Sequence, residues 1–131
     1  ADFLGRKEDL PATGFSFGIE PMTIVLQEKQ KVSKKTVTDI FVVPIGTSKK
    51  AFAFTETLRK EGIKADIDLV GRGISKNLSY ANNLGIPFVV LLGENELKAK
   101  KIKVRNMQTG KETTVSLSKA ASAIKKQLKN R

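Results

Sequence analysis

The sequence predicts an α/β fold in which helices cover a mostly parallel sheet that is extended by a hairpin. Three observations carry this. Strand-like runs alternate with helix-period stretches from residue 37 to residue 93 in the order β-α-β-α-β. From Lys101 the apolar period returns to two, twice, on either side of "QTGK". The tail from Ser118 is again helical. At 131 residues and 40% hydrophobic, the chain suits one compact domain with a little left over.

In order, "ATGFSFGIEPMTIVLQEK" comes first. Phe15, Phe17 and Ile19 alternate as in a strand, and Pro21 then suits a helix start, where a missing N–H costs nothing. Residues 29–35 hold four lysines and no large apolar group but Val32, which marks a linker. "TDIFVVPIG" follows as a strand buried on both faces. Ser48 is the expected cap of a helix through Glu61, with Ala51, Phe54 and Leu58 on its inner side and Gly62 ending it. "KADIDLV" alternates Ala65, Ile67 and Leu69 with Asp66 and Asp68, a half-exposed strand. Ile74, Leu78, Ala81 and Leu84 make the next helical stripe, with Gly85 behind it. "PFVVLLG" is the most apolar strand and so the central one.

Beyond it, Ile102 and Val104 face one way and Lys101, Lys103 and Arg105 the other. "ETTVSL" is the hairpin partner. Leu117, Ala120, Ala121, Ile124 and Leu128 line the last helix, and Lys125, Lys126, Lys129 and Arg131 suit the negative end of its dipole.

The chain has no cysteine and no histidine, which excludes disulfides, thiolate or imidazole metal sites, a cysteine nucleophile and a histidine base. No apolar run reaches membrane-spanning length, and the first residues do not read as a signal peptide. The net charge of +11 is lopsided: residues 1–97 nearly balance, whereas residues 98–131 carry 11 Lys/Arg against Glu112 alone. Such a field attracts polyanions, nucleic acid foremost. The bland alternative is a solvated, solubilising face.

Three weaker signals stand beside this one. "GTSKK" lacks the glycine spacing of a phosphate loop and reads as an ordinary cap. Asp66 and Asp68 could hold a metal, but on an alternating strand they read more simply as its solvent face. A phosphoacceptor receiver domain would want an acid where this chain has "PIG". The cationic strand is the stronger signal. Lysines bind phosphate as point charges, Arg105 can fork onto a base edge, and Glu96 can accept from an exocyclic amine. Aromatic stacking platforms are scarce, with Tyr80 alone outside the phenylalanines.

"GRGISKNLSYANNLGIPFVVLLGENEL", Gly71 to Leu97, resembles the anticodon-binding domain of class II aminoacyl-tRNA synthetases, the histidyl enzymes most of all. "FLGRKEDLPATGFSFGIEPM" is similar to the strand and helix of motif 3, which ends the catalytic domain in that family. The resemblance implies that residues 1–35 are a catalytic-domain remnant with its linker and residues 36–131 the anticodon-binding domain. It further implies a three-layer fold whose five-stranded mixed sheet runs 2-1-3-4-5, with strand 4 antiparallel and three helices.

For function, the resemblance implies binding of the anticodon stem-loop of the tRNA for histidine. In the related threonyl enzymes a glutamate in the turn after strand 3 and an arginine nine residues later contact anticodon bases, and Glu96 and Arg105 match that position and spacing. A further contact maps near Gly71 and Arg72, while Lys98, Lys101 and Lys103 fall where phosphates run. The parent enzyme implied is a cytoplasmic, homodimeric ligase that uses ATP with Mg, and its catalytic domain is a partner of this region.

Two departures bear on activity. Motif 3 ends in an arginine that binds ATP phosphate, but the position here is Pro21. Motifs 1 and 2 are absent, so this chain is expected to hold no cofactor and to be inactive alone. A regulatory synthetase-like domain that binds uncharged tRNA, and a basic domain that docks an acidic protein, remain as alternatives.

Overall fold

The structure is a computed structural model and describes residues 5, 11, 13–29 and 36–129. It forms two compact units, Ala1–Ser33 and Lys34–Arg131. Residues 30–35 of the expected linker lie outside the described residues, as does Arg131.

In the first unit, helix α1 spans Ile19–Lys29. Pro21 falls in its first turn, among the four positions whose N–H groups have no helical partner in any case. A Cβ on Gly18 would come within 3.0 Å of the Pro21 ring, so glycine lets the chain enter the helix there. Phe15, Phe17 and Ile19 alternate as in a strand, but residues 13–18 are irregular and Ile19 already belongs to α1, so all three side chains stand exposed, as a strand-period segment does when no sheet pairs with it. A strand needs a ladder partner, and the described part of this unit offers none. Phe15 and Phe17 meet each other edge-on instead, 5.6 Å apart.

The second unit runs β1 (Ile40–Ile45), α2 (Ser48–Lys60), β2 (Ala65–Ile67), α3 (Ile74–Leu84), β3 (Phe88–Gly93), α4 (Glu94–Ala99), β4 (Lys101–Asn106), β5 (Glu112–Ser116), a 3₁₀ turn (Leu117–Lys119) and α5 (Ala120–Lys129). The sheet order is β2-β1-β3-β4-β5, with β2, β1 and β3 parallel and β4 antiparallel to both neighbours. The order is the one the family resemblance implies, and "PFVVLLG" lies inside the sheet, as its apolar run leads one to expect.

Strand alternation divides the core in two. Ile40, Val42, Phe88, Val90, Leu92, Ile102 and Val104 face α2 and α5, which contribute Ala51, Phe54, Leu58, Ala120 and Ile124. Phe41, Val43 and Val89 face the other way, where α3 supplies Ala81, Leu78 and Leu84. Helix layers on both sides of the sheet make the three-layer arrangement. The second layer is narrower, however. Beyond β3 its face continues onto Lys103 and Arg105 of β4, opposite Leu91 and Val89, and then onto Thr114 and Glu112 of β5. These side chains are exposed or only half-buried.

Four local expectations are corrected. Ser48 is the first residue of α2 rather than its cap; Thr47 precedes the helix, and its hydroxyl donates to the Leu92 carbonyl instead. Strand β2 ends at Ile67: Asp68 turns inward at 6% exposure while Leu69 is 77% exposed, because the Asp68 carboxylate gathers donors from the following turn. Asp68 is therefore no part of a solvent face. On α3 the buried stripe takes in Asn77, while Ile74 stays exposed at the first turn. The "GENEL" turn is the start of a six-residue helix, α4, an addition to the three helices expected.

Candidate nucleic-acid interface

The uncovered part of the sheet carries the cations. Residues two apart on a strand lie about 6.5–7 Å apart on one face, so Lys101, Lys103 and Arg105 form a short ridge along β4. Ile102 and Val104 alternate with them into the core and anchor the strand. Glu112 stands on β5 directly across from Arg105. Its carboxylate lies 3.8 Å from Arg105 Nη1 and 4.0 Å from Lys103 Nζ, both long separations for a half-exposed pair. The buried Arg105 Nε has no hydrogen-bond partner among the described residues.

Glu96 sits at the other end of the strand pair. Its Oε2 accepts a hydrogen bond from the Gly93 amide at 3.1 Å, closing the first turn of α4 on itself. Glycine at 93 leaves room for this, since a Cβ there would lie 2.8 Å from that oxygen. Val89, opposite Arg105, is four residues from Gly93 along β3, about 13 Å at strand rise. Glu96 and Arg105 thus stand at separate positions, and the acid beside Arg105 is Glu112. Lys98 is exposed on α4, which ends at Lys100 in the left-handed conformation, φ 51°.

Gly71 and Arg72 belong to a third feature, the loop before α3. Gly71 has φ 74°, a conformation that suits glycine. Asp68 organises the loop: its Oδ1 accepts from the Val70 amide at 3.0 Å, and its Oδ2 from the Arg72 amide at 2.8 Å and Asn77 Nδ2 at 2.7 Å. Asn77 Nδ2 also donates to the Arg72 carbonyl at 3.0 Å. Burial pushes the Asp68 carboxyl up, but the hydrogen bonds from Asn77 and from the backbone of Val70, Arg72 and Gly71 outweigh it and hold the pKa below the ordinary value. The Arg72 guanidinium lies over the Tyr80 ring, 4.8 Å from its centroid, and Tyr80 leans on Phe41. Tyr80 therefore does face the sheet, and it also seats a cation.

Reasoning from the sequence missed Asp68, Asn77 and Glu112 as organisers of this surface. For Glu112 a signal existed, since it is the one acid after Glu96. Among the described residues, no group of three or more potential metal-ligating acids comes together, and no helix is long and apolar enough to cross a membrane.

Comparison with known proteins now decides the family. The model of the anticodon binding domain matches residues 39–127. The chain belongs to this anticodon-binding-domain family. Its relatives are histidine–tRNA ligases: that of Thermococcus kodakarensis is 39% identical over 119 residues, which cover 87% of this chain and 27% of that protein. A histidine–tRNA ligase of Shouchella clausii is 35% identical over 114 residues, again 87% of this chain and 27% of that protein. The crystal structure of apo histidyl-tRNA synthetase from S. aureus superposes with a TM-score of 0.66 at 31% identity, over 82% of this chain and 28% of that one. The chain thus spans little more than a quarter of the length of these relatives. The anticodon-binding domain carries its basic ridge on the half of the sheet that α3 leaves open.

Proposed function

We propose that the second unit binds the anticodon stem-loop of a tRNA, that for histidine, as the recognition domain of a histidine–tRNA ligase. The observation that carries this reading is the open face of β4, with Lys101, Lys103 and Arg105 in a row. In this reading Lys98, Lys101 and Lys103 meet phosphates, and Arg105 and Glu96 meet base edges at separate positions. Arg72, presented by Gly71, makes a third contact on the same side of the sheet. Anticodon loops are single-stranded, so their base edges are open to such readout.

The first unit is, in the same proposal, the end of the ligase catalytic domain, and residues 1–35 form its remnant and linker. The ligase would be a cytoplasmic homodimer that uses ATP with Mg. This chain has Pro21, without a side-chain donor, where motif 3 places its phosphate-binding arginine, and it lacks motifs 1 and 2. It should not activate histidine. The same Pro21 favours a second reading, a synthetase-like regulatory domain that binds uncharged tRNA without ligating it.

Binding of cognate and scrambled anticodon stem-loops at several salt concentrations tests the proposal. Arg105→Ala should lose about 1–3 kcal/mol on the cognate loop and little on scrambled ones. Lys101→Ala should weaken all loops alike and flatten the log–log salt dependence by roughly 0.7. Equal losses on both loops for Arg105→Ala would reduce that residue to one more cation. Histidine-dependent pyrophosphate exchange by the pure chain would refute its inactivity.

A further inference from the structure

Glu112 is the one acid among residues 98–131, in the most basic quarter of the chain. Register sets it across from Arg105, with Lys103 one pair further along the same face. Each carboxylate oxygen addresses a different cation, Oε1 toward Arg105 Nη1 at 3.8 Å and Oε2 toward Lys103 Nζ at 4.0 Å. The carboxylate therefore occupies the gap between two members of the ridge. It does not grip Arg105 as a bidentate fork, because the buried Arg105 Nε has no acceptor among the described residues. So weak a pair, with both partners about 40% exposed, does little for stability.

Its electrostatic effect on a ligand is larger. A phosphate that approaches the Lys103–Arg105 gap meets a negative charge already in place. A base edge carries no net charge and is not repelled. An ammonium has three donors, so Lys103 can face Glu112 and still hold a phosphate beside it. Resting on the anticodon-loop reading above, we infer that Glu112 is a specificity-determining residue: it keeps phosphate out of the gap and so reserves the Arg105 guanidinium for a base edge.

The experiment uses the 131-residue chain with cognate and scrambled anticodon stem-loops over a range of salt. Glu112→Gln, an exposed substitution whose fold an amide NMR spectrum can verify, should tighten binding to every loop and to scrambled loops most. The cognate preference should fall about tenfold, and the salt slope should steepen by roughly 0.7 as one more phosphate is engaged. Arg105→Ala should leave the slope alone in the wild-type background and remove the added slope in the Glu112→Gln background. Glu112→Asp, which retains the charge, should keep the slope and the preference close to wild type. If the wild type discriminates and Glu112→Gln discriminates equally with an unchanged slope, the inference fails alone. If the wild type binds no loop, the anticodon reading fails and the inference falls with it.

Discussion

Arg72 is seated on Tyr80, its guanidinium carbon 4.8 Å from the ring centroid, and Tyr80 is braced in turn by Phe41 at 5.3 Å. The negative face of the ring attracts the guanidinium and so favours this position for Arg72. The stack thus joins the core beneath α3 to the surface loop that begins at Asp68.

Tyr80→Phe keeps the ring and should leave Arg72 in place. Tyr80→Leu removes the π face, worth about 0.5–1 kcal/mol at an exposed site. Stem-loop binding should therefore weaken by a few-fold for Tyr80→Leu and hardly at all for Tyr80→Phe. Equal losses in the two variants would assign the effect to the hydroxyl rather than to the ring.

Asp68 makes the fold acid-sensitive. Its folded pKa lies below the unfolded value, so its contribution is fully present above the unfolded pKa, about 3.9, and fades as pH falls through the folded one. Asp68→Ala leaves the Val70 and Arg72 amides and Asn77 Nδ2 without their acceptor, and should cost about 2 kcal/mol at neutral pH. Urea midpoints from pH 7 to pH 3 should converge for wild type and Asp68→Asn as the acid limit is approached. A gap that stays constant across that range would show that the carboxylate charge is not what stabilises the loop.

Gly93 and Glu96 should behave as one unit. Gly93→Ala suits the backbone, with φ −110°, but its methyl group would displace the Glu96 carboxylate from the amide it caps. The variant should lose anticodon preference to the same degree as Glu96→Ala, with less than about 1 kcal/mol of stability change from the weakened cap. Comparing the two variants and their double mutant by stem-loop binding checks this. Additive losses would mean that Gly93 acts independently of Glu96.

Helix α1 buries none of its 11 residues, and isolated helices of that length are marginal in water. Its amides should exchange with deuterium far faster than those of β1 and β3, whose strands lie inside the sheet. Protection across α1 equal to that of β3 in dilute solution would mean that something covers its apolar side chains.

The elements of this chain were legible in its sequence wherever periodicity alone defines them. "IFVVPI" reads as a doubly buried strand, and the Ala51, Phe54, Leu58 stripe as one helix face, because burial repeats every two or every 3.6 residues whatever the neighbours are. Pattern also put Lys101, Lys103 and Arg105 on one face. Phe15, Phe17 and Ile19 show the limit: they alternate correctly, yet no strand forms where no ladder partner exists among the described residues. Asp68 shows another, since alternation placed it in solvent while donors from Val70, Arg72 and Asn77 drew it inside. The sharpest case is Arg105, whose place on the cationic face the pattern shows but whose neighbouring acid, Glu112, only the sheet register supplies. Which acid faces which cation depends on strand order and register, and these follow from how the whole core packs. Local pattern determines which side chains share a face; only the folded sheet decides what stands beside them.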